Sequence, residues 1–169
     1  MKTTLAALAA LAIASPASAV TDCCSITPPN TAFTGSGPVS FAISGQPTEN
    51  CTLTIAGHTN ASGPANITSA TFTDSGDGSC EHAQPSGLKT QGWEWKAKNY
   101  VHADWTHFGT YLSKGIKCGP NGSMRFFLED DMDGNPIAGI GAALPSAAGQ
   151  CFVTGRLYLS QPITISKNP

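Results

Sequence analysis

Val39-Ser40-Phe41-Ala42-Ile43, followed by Cys51-Thr52-Leu53-Thr54-Ile55, is the stretch that decides the fold class. In both segments, large apolar residues alternate with small or hydroxyl-bearing ones. Strand side chains point to opposite faces in turn, so each segment reads as a strand with one buried and one solvated face. Gly45-Gln46-Pro47 lies between them and reads as a meander connection. Ile67 to Phe72 makes a third strand after the Gly63-Pro64 break, and Asp74 to Gly78 is a turn before Cys80. Met124 to Glu129 alternates little and reads as a strand buried on both faces near Phe126 and Phe127. The Gly- and Ala-rich run from Ala138 to Gly149 reads as a loop. Cys151-Phe152-Val153-Thr154 and Leu157-Tyr158-Leu159 come next, and Ile163-Thr164-Ile165 closes the chain behind Pro162, a residue suited to a strand start or an edge. Eight or so short strands, with no helix of convincing length and no linker, predict one all-β domain. The expected form is a disulfide-stapled β-sandwich or Greek-key barrel.

Residues 1–19 stand apart from this pattern. Lys2 precedes an apolar run from Leu5 to Ala14, and Ala17-Ser18-Ala19 is a small-residue cleavage site. That is a secretory signal peptide, with residues 20–169 as a single secreted all-β domain. The apolar run is too short for a membrane span, which needs about 20 residues. Removing Lys2 leaves eight basic against eleven acidic residues, a net charge of −3. So sparse and acidic a surface argues against nucleic-acid binding. Four Asn-x-Ser/Thr sequons, at Asn50, Asn60, Asn66 and Asn121, would matter only in a eukaryotic pathway, whereas the brief Met-Lys start looks bacterial.

All six cysteines (Cys23, Cys24, Cys51, Cys80, Cys118 and Cys151) follow the cleavage site and read as a disulfide framework. Nearest-neighbour pairing gives Cys51–Cys80 and Cys118–Cys151, each closing a loop worth about 3–4 kcal/mol in the loop-entropy picture. It is a preference among the 15 pairings that six cysteines allow. For Cys23-Cys24 three roles stay open: a vicinal disulfide, a staple to the domain body, or a link between molecules.

Candidate chemistry is thin. His102, Asp104 and His107, with His82 elsewhere, have neither the spacing of a helical pair nor that of one strand face, and read as a polar aromatic loop. Asp131, Asp133 and Asn135 suggest a calcium loop, but Pro136 and the lack of a closing acid favour a hairpin turn with Asp133-Gly134 at its tip. A glycosidase dyad could be drawn from Glu94 and Glu129, but sequence cannot set their separation. No nucleophile elbow or phosphate loop is present, so no catalytic, cofactor-binding or metal residue is assigned and no cofactor is expected. Trp93, Trp95, Trp105 and Tyr111 are the candidates for a surface-binding role. Large aromatics are usually core; exposed, these would form a stacking platform or apolar patch.

Several short segments, in order, carry a family resemblance. They are Ile26-Thr27-Pro28, Thr31 to Gly35, Cys51-Thr52-Leu53-Thr54, Ile67 to Phe72 leading to Cys80, Gly87-Leu88 ahead of Trp93, Cys118-Gly119-Pro120, Gly155-Arg156-Leu157 after Cys151, and Ser160 to Ile165. The chain resembles the secreted bacterial alkane-oxidation activator and hydrocarbon-emulsification proteins of the PraA/PraB type. The Cys23-Cys24 pair and the aromatic segment 92–111 are additions to that pattern. The resemblance implies a non-enzymatic surface-active protein that promotes hydrocarbon emulsification or uptake, or surface adhesion and biofilm formation. Its expected partners are a hydrocarbon–water interface or cell-surface and biofilm components, with self-association and without nucleic acid or a membrane span. A carbohydrate-binding module, or a fimbrial-type subunit with a groove left by a missing strand, is the alternative.

Overall fold

The computed structural model describes residues 23–168 apart from 77, 79 and 81, so the expected signal peptide lies outside the described residues. The strands are β1 (Cys24–Thr27), β2 (Ala32–Ile43), β3 (Glu49–Thr59), β4 (Ala65–Asp74), β5 (Gln84–Pro85), β6 (Trp93–Ala97), β7 (His102–Tyr111), β8 (Lys117–Asp130), β9 (Pro136–Ser146), β10 (Gly149–Leu159) and β11 (Thr164–Lys167). One helical turn, α1 (Leu88–Gln91), precedes β6.

Eight of these strands form a closed ring in the order β2-β3-β4-β6-β7-β8-β9-β10, with β10 pairing back to β2. Every neighbour in the ring is antiparallel and, except where β10 meets β2, is also the next ring strand along the chain. Of the two expected forms the barrel is the one found, with up-and-down connections in place of a Greek key. Closure also leaves no open position for a donor strand, as a fimbrial subunit would require. β5 is a two-residue patch on the end of β7, and β1 and β11 form a separate ribbon against the barrel end nearest β6 and β8.

The alternation read from sequence sets the register. Phe33, Val39, Phe41 and Ile43 of β2 point inward beside Cys51, Leu53 and Ile55 of β3. At the β2–β10 seam the backbones come so close that a Cβ on Gly37 would lie 2.0 Å from the Arg156 carbonyl oxygen. Only glycine fits such an approach. The turn after β4 forms as expected: the Asp74 carboxylate accepts hydrogen bonds from the backbone N–H groups of Gly76, Gly78 and Cys80 at 3.0, 2.8 and 3.2 Å.

Two segments differ from expectation. The run 138–149 is mostly strand, since β9 extends to Ser146 and the turn to β10 follows. Phe127 is not buried on both faces: Phe126 points into the barrel at 0% exposure, while Phe127 points outward at 37%. The two corrections share one cause. The Phe127 ring lies over Gly139 of β9, where an added Cβ would come within 2.4 Å of the ring. Phe127 thus supplies the apolar cover that Gly139 lacks, and β9 needs no strong pattern of its own.

Both favoured long-range disulfides form. Cys51–Cys80 and Cys118–Cys151 span Cα–Cα distances of 5.2 and 5.7 Å, and all four residues are buried. Cys23 and Cys24 pair with each other.

Candidate functional site

The barrel interior is packed with aromatic rings. Trp93 and Trp95 share one face of β6, as their spacing requires, and that face is the inner one. Trp93, Trp95, Trp105, Phe108 and Phe126 are all 0% exposed. Trp105 packs edge-on against Trp93, Trp95 and Phe108, with centroids 5.5, 5.4 and 5.2 Å apart. Phe33 stacks on Trp95 at 5.0 Å and Phe126 tilts against it at 4.7 Å. An eight-stranded ring is only wide enough to be filled by side chains, and these fill it.

The surface-binding role considered for Trp93, Trp95 and Trp105 is therefore corrected: they are core. Period two places two side chains on one face but does not say which face is wet. Tyr111 alone of that set reaches solvent, 43% exposed at the far end of β7, with Lys117 Nζ 5.4 Å from its ring centroid.

Three exposed rings lie elsewhere, on the wall formed by β8, β9, β10 and β2, while Tyr100, Val101 and Met132 are exposed in the turns between β6 and β7 and between β8 and β9. The outward positions of β9 are Ile137, Gly139, Gly141, Ala143 and Pro145, none with a polar side chain, and of these Gly141, Ala143 and Pro145 are exposed while Ile137 and Gly139 are covered. Phe127 flanks this strip on β8, opposite Gly139. On β10, Phe152 stands opposite Ala143, and Tyr158 stands opposite Ile137. Phe127, Phe152 and Tyr158 are 37, 49 and 47% exposed. The register continues onto β2, where Phe152 faces Ala42 and Tyr158 faces Ser36. Beyond it, Ser36 and Thr54 hydroxyls bond at 2.9 Å, and Ser40 donates to Asn50 at 2.8 Å. Charged side chains border the strip: on β8, Arg125 and Glu129 share the outward face of Phe127, and on β10 Arg156 stands opposite Gly139.

A signal for this wall was present in the sequence. Phe152 sits between Cys151 and Val153, and Tyr158 between Leu157 and Leu159; burying either pair forces the ring between them outward.

The polar candidates do not converge. Among the described residues, no group of three or more His, Cys, Asp or Glu comes together as metal ligands would. His102 Nδ1 lies 3.3 Å from Asn99 Oδ1, and Asp104 faces Arg125 at 3.8 Å. His107 occupies a β7 irregularity with φ 61°, its Nδ1 buried. Glu94 pairs with Lys96 at 2.9 Å on β6, while Glu129 lies on β8, with β7 in between. The 131–135 turn is a hairpin tip. Asp131 Oδ1 accepts from the N–H groups of Asp133 and Asn135 at 2.9 and 2.8 Å. The backbone and side-chain amides of Asn135, then the Asp133 N–H and the Arg156 charge, hold this carboxyl below the usual range.

The profile of the family described as "Alkane oxidation protein activator PraA/PraB-like" matches residues 1–167. The chain belongs to that family. No curated protein and no solved structure matches it. The PraA/PraB-like family is named for activation of alkane oxidation and not for a catalysed reaction. Among the described residues, no helix is long and apolar enough to cross a membrane.

Proposed function

We propose that this PraA/PraB-like protein is a secreted, non-enzymatic surface-active protein that works at a hydrocarbon–water interface. It adsorbs through the β8–β9–β10–β2 wall and disperses the oil, raising the area from which cells take up alkane. The observation that carries this reading is the placement of Phe127, Phe152 and Tyr158 around the charge-free outer strip of β9. Complete burial of such a ring contributes about 1.5–3 kcal/mol, so three half-exposed rings supply about 3 kcal/mol in all. That suits reversible adsorption of a folded barrel.

The filled lumen favours contact by the outer wall over carriage of alkane inside. Apolar side chains point inward, and Ser and Thr point outward on β2 and β3, which is the reverse of a transmembrane barrel. That supports a partner at the surface of the oil or the cell and no membrane span.

Pendant-drop tensiometry at a hexadecane–water boundary tests the reading, with an inert β-barrel of similar size as control. The protein should lower the tension beyond the control, and Phe127→Thr/Phe152→Thr/Tyr158→Thr should remove the excess while keeping the far-UV spectrum. No excess in the parent protein would sink the emulsifier reading, leaving adhesion to cell-surface or biofilm components through the same wall as the better account.

A further inference from the structure

The three disulfides differ in what they do for the fold. Cys51–Cys80 and Cys118–Cys151 span sequence separations of 29 and 33, and so restrict the unfolded chain. Cys23–Cys24 joins sequence neighbours and closes no such loop. Nor does β1 depend on it. Four residue pairs join β1 to β11, Ile26 N–H donates to the Gly63 carbonyl at 2.8 Å, and Asn168 N–H donates to the Cys23 carbonyl at 3.0 Å. Ile26 itself is 0% exposed.

The two sulfurs have different surroundings. Cys23 is exposed and its Sγ lies 3.6 Å from the Lys98 carbonyl oxygen, whereas Cys24 is 4% exposed. Cys24 stands opposite Lys167 in the β1–β11 ladder and shares a shallow depression with Lys96. Lys96, Lys98 and Lys167 are three of the nine basic residues in a chain of net charge −2. Lys98 meets Cys23 through its backbone carbonyl, Lys167 is the ladder partner of Cys24, and Lys96 is paired with Glu94 at 2.9 Å. Nearby cations stabilise a departing thiolate and draw in an anionic one.

We infer that Cys23–Cys24 is a thiol-exchange site that takes small anionic thiols. The incoming thiolate attacks the exposed Cys23 Sγ and forms a new S–S bond there. The Cys23–Cys24 bond breaks, and its electron pair leaves on Cys24 Sγ, which takes a proton from water. The product is a mixed disulfide on Cys23 and a free thiol on Cys24, with no net oxidation. A second thiolate can then attack the outer sulfur of the mixed disulfide and form the small disulfide; the bond to Cys23 breaks, its electron pair leaves on Cys23 Sγ, which takes a proton from water, and both cysteines end reduced.

Reduced glutathione is the probe, added to the purified oxidised protein, with acid quenching, intact mass and peptide mapping. A single adduct should form at Cys23, at least about 100-fold faster than at the four buried cysteines, which react only after opening. Cys23→Ser/Cys24→Ser should take up none and unfold at the same urea midpoint. Lys98→Gln/Lys167→Gln should slow the reaction about three-fold and reduce its salt dependence. No adduct at Cys23, prior reaction at a buried pair, intermolecular Cys23 or Cys24 links on a non-reducing gel, or loss of stability in the double serine variant would overturn the assignment.

Discussion

Trp93 and Trp105 offer a controlled comparison, because both are 0% exposed and touch one another, yet they differ in one bond. Trp93 Nε1–H donates to the Ser86 carbonyl at 3.0 Å. Trp105 Nε1 has no acceptor among the described residues. Replacing either with Phe removes the same atoms, so the packing loss largely cancels between the two variants. Trp93→Phe also strands a carbonyl on Ser86, which is 6% exposed. An orphaned buried group of this kind costs about 1–3 kcal/mol. Trp105→Phe strands nothing and removes a donor that was already unpaired. Trp93→Phe should therefore be the less stable variant by about 2 kcal/mol, or about 4–8 °C in Tm for a chain of this size. Urea and thermal melts followed by far-UV circular dichroism, with disulfides oxidised, would measure the difference. Equal midpoints, or a costlier Trp105→Phe, would refute the assignment of these indoles to a hydrogen-bonded and an unbonded core position.

Four further outcomes are expected. Trp93→Ala/Trp95→Ala should be largely unfolded, since each truncation costs about 3–5 kcal/mol against a total stability of about 5–15 kcal/mol; a native near-UV spectrum would contradict the core placement. Gly139→Val should displace the Phe127 ring and lower stability by about 1–3 kcal/mol, read as an earlier urea midpoint; an unchanged midpoint would show that the ring does not cover this position. Cys118→Ser/Cys151→Ser should lose about 3–4 kcal/mol, measured against the oxidised parent. Acid should loosen the 131–135 turn. The folded-state pKa of Asp131 is depressed, so its contribution is complete above the ordinary value of 3.8 and lost as pH falls through the folded value. Amide exchange at Asn135 should accelerate there and not near neutrality.

Much of the wall structure was legible in the chain because alternation is local. Val39 to Ile43 and Cys51 to Ile55 declare their inner faces residue by residue, and the Asp74 turn follows from its position between two strands. The way the strands combine was less legible. Period two does not report whether the ring closes, and the same strands could serve a sandwich. Closure comes from β10 meeting β2, a pairing distant in sequence. β9 was hidden for a different reason. Gly139 takes its apolar cover from Phe127, a residue on another strand, so its own sequence carries little periodic signal. Phe152 and Tyr158 are single rings in ordinary-looking strands, whereas the segment 92–111 concentrates its aromatics in one run. Aromatic density marked the core; outward position marked the candidate contact surface.

The most direct test of the contact surface is hydroxyl-radical footprinting of the protein in solution and adsorbed on hexadecane droplets. Oxidation of Phe127, Phe152 and Tyr158 should fall on the droplets, that of Tyr111 should stay unchanged, and Trp93, Trp95 and Trp105 should remain protected in both states. Protection confined to Tyr111, or tryptophan oxidation appearing on the droplets, would contradict adsorption of an intact barrel through its β8–β9–β10–β2 wall.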